Sequence, residues 1–458
     1  MADRELTEDV LALGHRHAID YLASDRPVAP PLAAIEALGE LTGSYPTEGR
    51  PAAETIELLA SIGSPATVRT NGPRYFGFVT GGAQPVAMAA AAIASAWDQN
   101  GALPVMSPTA AAIDETAAAW MIEALALPVS ATGVFCGGAS EANLIGLIAA
   151  RDAVLHQAGW DVPGQGLAGS PAITVVTGAE VHVSATKAVA LAGLGRDRIE
   201  LVPTDDQGRM DSSAFATTLG RIEGPTIVIL QAGNVNTGHS DRFAEVAPVA
   251  KAAGAWVHVD GAFGLWAGAS TERQSQVAGV EGADSWAVDA HKWLNVNYDA
   301  ALAVVADSAA LARSMRADAA YLPDTGGRAP MHLGLQMSQR ARGIETWAAL
   351  RTLGRNGVAD LIDRCCDLAG QFAELLVTAG AEVLHDVVLN QVLVSFGSDS
   401  MTEDVIAAVQ AEGTCWAGGT TWHGRKAMRL SVSGWETTAD DISRSAAAIV
   451  QCWQRLEN

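Results

Sequence analysis

At 458 residues, with 49% hydrophobic and 17% charged residues, the chain suits one large domain with smaller partners, and its balance is that of a compact globular protein, not a disordered or solenoid one. A formal net charge of −22, from 29 basic and 51 acidic residues, repels a polyanion and leaves no basic stripe for nucleic acid. Cys136, Cys365, Cys366, Cys415 and Cys452 show no disulfide or zinc spacing, the start MADRELTEDV is charged, and the Ala-rich run 87–97 is too short for a bilayer. The expectation is a cytoplasmic protein with no metal centre, no membrane segment and no export signal.

Residues 1–75 read as amphipathic helices broken at Pro27, Pro30, Pro31, Pro46 and Pro51, which predicts a helical arm. Helical, Ala-rich patterning follows from 84 to 128, where Ser107-Pro108 supplies a capping serine and a first-turn proline. After 130 the chain changes to short apolar, β-prone runs at 173–177, 199–202, 226–230, 255–260, 285–288 and 301–304, separated by helical stretches. That alternation predicts an α/β domain with a mostly parallel, buried sheet over 76–345. From 346 to 458 a long helix (345 to about 379), strands at 382–384, 391–396 and 427–432 and a helix at 402–412 predict a small α+β domain. Met428 and Leu430 read as core there, and Arg425 or Arg429 as candidates to face a site; Trp422 and His423 suit packing or an interface equally.

Four segments carry candidate chemistry. Gly137-Gly138-Ala139-Ser140-Glu141 opens a helix with small residues, so its free N–H groups suit a phosphate, although Ser140 is also an ordinary N-cap. His182, just past the run at 173–177, is able to stack on a flat ring or to be a satisfied buried histidine. Asp260 ends the apolar Val257-His258-Val259 at the strand edge where open α/β folds bind ligands; a carboxylate there pairs with a protonated ring nitrogen or caps a turn. Lys292, in Ser285-Trp286-Ala287-Val288-Asp289-Ala290-His291-Lys292-Trp293, is expected to be desolvated, with a depressed pKa that makes it nucleophilic toward an aldehyde; the alternative is a surface lysine.

Each is modest alone, but together they run in the order phosphate loop, stacking histidine, ring-nitrogen aspartate, lysine. In this the chain resembles the pyridoxal 5′-phosphate (PLP) dependent amino-acid decarboxylases of group II, which include the aromatic amino-acid, glutamate and tyrosine enzymes. The resemblance extends from about Pro73 to the C-terminal domain and includes the Ser-Pro-initiated helix SPTAAAIDETAAAW at 107–120. It implies a fold-type I, aspartate-aminotransferase-like large domain and an obligate homodimer with active sites at the interface. Gly138, Ala139 and Ser140 are then the phosphate loop, His182 the stacking residue, Asp260 the ring-nitrogen partner and Ala262 the small residue under the other ring face. Lys292 carries the cofactor as a Schiff base with His291 beside the phosphate, and Gln231 and Asn234 make polar contacts to the cofactor. Lys292, His182 and Asp260 are the catalytic candidates.

The expected reaction is decarboxylation of an L-amino acid to amine and carbon dioxide, with an aromatic side chain compatible with Arg74-Tyr75-Phe76-Gly77-Phe78. One departure concerns the tyrosine that the family carries on a loop after the lysine. The matching stretch 324–332 has none: Pro330 falls near that position, and Tyr321 and His332 flank it. Aldehyde formation with oxygen and retro-aldol cleavage are therefore alternatives on the same scaffold, transamination a more distant one, and a cofactor-free binding module is disfavoured by the coincidence of four motifs.

Overall fold

A computed structural model describes residues 4–317 and 328–457. Its centre is a sheet of seven strands: β1 (Thr132–Cys136), β2 (Thr174–Gly178), β3 (Ile199–Val202), β4 (Thr226–Gln231), β5 (Trp256–Asp260), β6 (Ser285–Asp289) and β7 (Ala301–Val305), in the order β1-β7-β6-β5-β4-β2-β3. Strands β3, β2, β4, β5 and β6 are parallel, and β7 pairs antiparallel with β6 and β1. Strands β4 to β7 are buried at every residue, so their sequences are continuous apolar runs: both faces are covered. Alternate residues serve opposite faces, Val228 and Leu230 packing into one core and Ile227 and Ile229 into the other. The apolar runs predicted β2 to β7 to within a residue or so. β1 was not anticipated, because Thr-Gly-Val-Phe-Cys reads as the approach to the glycine turn that follows it.

The second sheet, β8 (Glu382–Val383), β9 (Gln391–Ser395), β10 (Gly418–Trp422) and β11 (Arg425–Ser431), is antiparallel, in the order β10-β11-β9-β8. Met428 and Leu430 enter its core with Val392, Val394 and the helices Asp399–Glu412 and Ala439–Glu457. Gly-Gly-Thr-Thr-Trp has no apolar alternation, and β10 forms only because β11 is there to pair with it. The helix Gly343–Thr378 spans both cores, Ala349 and Leu350 packing in the first and Phe372 and Leu376 in the second. At Gly354 it breaks, with φ 62 and ψ −178, a conformation that a side chain would oppose.

The segment after the N-terminal helices is stitched to the small domain. The Phe76 N–H donates to Trp416 O at 2.9 Å, the Ser431 N–H donates to Phe76 O at 2.9 Å, and the Phe76 ring meets Phe372 edge-on at 5.2 Å. Just beyond, after Gly77, Phe78 and Val79 take left-handed φ values of 54 and 58, costly for a β-branched side chain and characteristic of functional loops.

Candidate active site

The carboxyl ends of β4, β5 and β6 carry Gln231, Asp260 and Asp289, and a cavity of about 370 Å³ lies against the first two. Of the residues singled out from the sequence, His182, Gln231, Asp260, Ala262, Lys292 and Arg429 line it, with Phe78, Val79, Gly233, Val235 and Phe263 completing the walls.

Lys292 follows β6. Its Nζ is 3.0 Å from Asp289 Oδ2, and Asp289 Oδ1 accepts the Ala139 N–H at 2.6 Å. Ala139 opens the helix Ala139–Gln157, whose N-cap is Gly138; Ser140 lies in the first turn and is exposed, so it is not the cap. Burial pulls the Lys292 amine down, but the Asp289 carboxylate, helped by Asp260, outweighs it and holds the group above its ordinary value. This corrects the expectation of a depressed lysine: a carboxylate three residues upstream turns back onto it at the strand end, and desolvation alone no longer decides the sign. His291 stands beside the same pair, its Nε2 3.6 Å from Asp289 Oδ1, while its Nδ1 accepts the Ala300 N–H at 3.2 Å.

Asp260 is buried. Its Oδ2 accepts from Asn143 Nδ2 at 3.0 Å and from Ser184 Oγ at 3.3 Å, and its Oδ1 from the Ala262 N–H at 3.3 Å. His182 caps the helix Val183–Leu191, and its Nδ1 lies 2.6 Å from Ser184 Oγ. Burial lowers the His182 pKa against the opposing pull of Asp260, which favours a neutral imidazole. Gln231 holds this corner, accepting the His182 N–H at 3.2 Å and donating to Glu180 O at 3.0 Å. Asn234 does not line the cavity; its Oδ1 accepts the Asn236 N–H at 2.9 Å and its Nδ2 donates to the same Glu180 carbonyl at 3.4 Å.

Arg429 of β11 enters the cavity and donates to Val235 O at 3.2 Å, whereas Arg425 on the same strand is exposed and paired with Glu382. Trp422 packs with Leu393 and Ala427 and stacks on His423. Tyr321 lies outside the described residues. His332 sits in the turn Pro330–His332, whose Met331 N–H donates to Ala102 O at 3.2 Å, and its Nδ1 is buried without a hydrogen-bond partner among the described residues. Tyr298 escaped the sequence reading. Its hydroxyl is 3.3 Å from Thr80 Oγ1, its ring lies 4.3 Å from that of His291, and it is near enough to act electrostatically on Lys292. Asp289, Asn143 and Ser184 were likewise given no role, because a buried polar partner is set by which strands and helices meet.

The donor set fits PLP. The amine of Lys292 suits an aldehyde, a helix N-terminus that already holds a carboxylate suits a phosphate, and buried Asp260 suits a protonated ring nitrogen. Among solved structures, the chain superposes on rice tryptophan decarboxylase, crystallised with PLP and tryptamine, with a TM-score of 0.93 at 24% identity, covering 100% of this chain and 99% of that one. On mouse CSAD the TM-score is 0.91 at 22% identity, covering 99% of this chain and 100% of that one. Among characterised sequences, tryptophan decarboxylase 1 of Oryza sativa subsp. japonica is 29% identical over 399 residues, 81% of this chain and 76% of its own length. The aromatic-L-amino-acid decarboxylase of Bacillus atrophaeus is 26% identical over 384 residues, 81% of this chain and 78% of its own. The family model described as the pyridoxal-dependent decarboxylase conserved domain matches residues 43–397, and the chain belongs to that family: it is a PLP-dependent carboxy-lyase acting on an amino acid.

Proposed function

We propose that this decarboxylase acts on an L-amino acid with an aromatic side chain, releasing the amine and carbon dioxide, with the cofactor joined to Lys292. The observation that carries the reading is the composition of one cavity. Lys292, Asp260 and His182 share it with Phe78 and Phe263, and the Tyr75 and Trp416 rings, stacked at 5.0 Å, stand behind Phe78, which is 5.5 Å from Trp416. Flat apolar walls favour a flat apolar side chain. The names of the aromatic and tryptophan decarboxylases among its relatives support the same choice.

Bound PLP supplies the sink for the electron pair released when the bond from Cα to the carboxylate breaks. The rest falls to the chain. Asp260 holds a proton at the ring nitrogen. Arg429 and His182, on the cavity wall, orient the substrate carboxylate, and the apolar surround weakens its solvation. Tyr298, held by Thr80 against His291, returns a proton to Cα in place of the loop tyrosine that 324–332 lacks. We further propose a homodimer with the active sites at the interface, because Phe78, on the cavity wall, is 62% exposed, and Tyr298, whose ring lies 4.3 Å from that of His291, is 61% exposed, surface that a second copy would cover. A reducing cytoplasm suits five cysteines that are all unpaired and buried.

Borohydride reduction followed by peptide mass mapping, and then a panel of L-amino acids with carbon dioxide, amine, aldehyde and peroxide measured together, tests this reading. An adduct on Lys292 with amine and carbon dioxide from aromatic substrates is expected. Aldehyde and peroxide as the main products would replace amine release with aldehyde synthesis, and preference for acidic substrates would reassign the pocket to Arg429.

A further inference from the structure

Behind Asp260, away from the cavity, runs a buried line of side chains with no part in substrate contact. Trp256 Nε1 is 2.9 Å from Ser285 Oγ, Ser285 Oγ 2.8 Å from His258 Nδ1, His258 Nε2 2.9 Å from Asn143 Oδ1, and Asn143 Nδ2 3.0 Å from Asp260 Oδ2. His258, Asn143 and Ser285 are fully buried. The direction of every bond follows from the groups themselves. An indole N–H only donates, so Ser285 accepts it. At the other end a carboxylate only accepts, so Asn143 gives Asp260 its amide nitrogen and turns Oδ1 to His258 Nε2. Nε2 therefore carries the proton of the neutral ring and leaves Nδ1 to accept from Ser285. Burial pushes His258 down to about 4, so the neutral ring that this pattern needs is the form present at neutral pH. All four bonds thus point the same way, toward the carboxylate.

A second observation shows that room was made for this line. Gly146, one helical turn past Asn143 on the helix Ala139–Gln157, faces His258: a Cβ at 146 would stand 2.6 Å from His258 Cε1 and 2.7 Å from Nδ1. The absence of a side chain lets the helix lie against the imidazole, which brings Asn143 between His258 and Asp260.

We propose that Trp256, Ser285, His258 and Asn143 form a one-way positioning relay that keeps Asp260 ionised and fixed in rotation, so that the shared proton resides on the cofactor ring nitrogen and not on the carboxylate. The proposal rests on the assignment of Asp260 to that nitrogen. Its physical basis is that each donor to a carboxylate favours the charged form, and aligned bonds polarise one another in a low dielectric. None of the four touches substrate; they act through Asp260. Cutting the line weakens or removes the Asn143 donor at Asp260 Oδ2, and the shared proton moves from the ring toward the carboxylate.

The test is nitrogen-15 NMR of the holoenzyme loaded with ring-labelled PLP, at one pH, for wild type, His258→Phe, His258→Gln and Asn143→Leu, with the cofactor dissociation constant measured alongside. Wild type is expected at the shift of a protonated pyridine. His258→Phe and Asn143→Leu are expected to move toward neutral pyridine and to bind the cofactor about tenfold more weakly. His258→Gln is expected to stay near wild type, because its amide donates to Asn143 while its oxygen accepts from Ser285. Near-ultraviolet circular dichroism checks the fold, and Ser285→Ala, which cuts the line at its far end, gives a smaller shift of the same sign if His258→Phe does not fold. A wild-type shift in folded His258→Phe, or a His258→Gln indistinguishable from His258→Phe, would overturn the relay. A neutral ring in the wild type would instead overturn the placement of Asp260, and the relay with it.

Discussion

Two cations reach the same cavity from different domains, and their surroundings differ. Lys292, beyond the end of β6, has a carboxylate of its own 3.0 Å away. Arg429, on β11, donates to the Val235 carbonyl, and the group that raises its pKa is the Tyr75 phenol, itself pushed up to about 12 by burial and so neutral at physiological pH. Burial acts on both cations in the same direction. The lysine nevertheless ends above its ordinary value and the arginine below, because only the lysine has a carboxylate to override desolvation. A cation balanced from within is held until chemistry exchanges its partner; a cation without one among the described residues offers its charge to a substrate carboxylate.

The sharpest way to break this comparison is to remove the arginine. Arg429→Met is expected to raise KM for the amino acid about a hundredfold while cofactor binding, measured by absorbance titration, is unchanged. Equal loss of cofactor affinity would place Arg429 in the support of PLP and end its role with substrate. The phenols between the two cations come next, since Tyr298 bears on Lys292 and on Tyr75, and Tyr75 on Arg429. Tyr298→Phe is expected to slow amine formation about tenfold and to raise the aldehyde share of the product, read by mass spectrometry; an unchanged product ratio assigns the proton to another group. The smallest effect lies with the lysine's own partner. Asp289→Asn is expected to lower the pH at which the Lys292 amine becomes reactive toward an acylating reagent. The sign extends to stability: with the folded pKa above 10.5, the pairing contributes fully below that value and is lost as pH rises through the folded pKa, so mutant and wild type converge at high pH. A constant difference in urea midpoint across that range would show that Asp289 acts only by capping the helix at Ala139.

Much of the site was legible because each chemical residue follows its own strand. Asp260 ends β5, and Lys292 comes three residues after the end of β6, so apolar runs located both. The two arginines of β11 were not separable in this way. Arg425 and Arg429 share one face by the period of two, and about 13 Å of strand between them decides that one reaches the cavity and the other lies exposed against Glu382. Asn234, which the family pattern suggested for the cofactor, divides its amide between its own turn, where an asparagine is drawn to the N–H two residues on, and the Glu180 carbonyl that Gln231 also holds. Left-handed Phe78 and Val79 had no signal either, for neither residue type favours that conformation.

The sequence by itself determined the class of the large domain, the parallel sheet and the order of phosphate loop, histidine, aspartate and lysine, because hydrophobic periodicity and strand-end chemistry are local properties of the chain. Tertiary structure alone decided that Asp289 raises Lys292, that Arg429 is the cation turned inward, and that Asn143 and His258 stand behind Asp260. Those are contacts between groups as far apart in sequence as Asn143 and Asp260, or between a strand end and its own return, and the field at a buried group is the sum over whatever the fold brings near it.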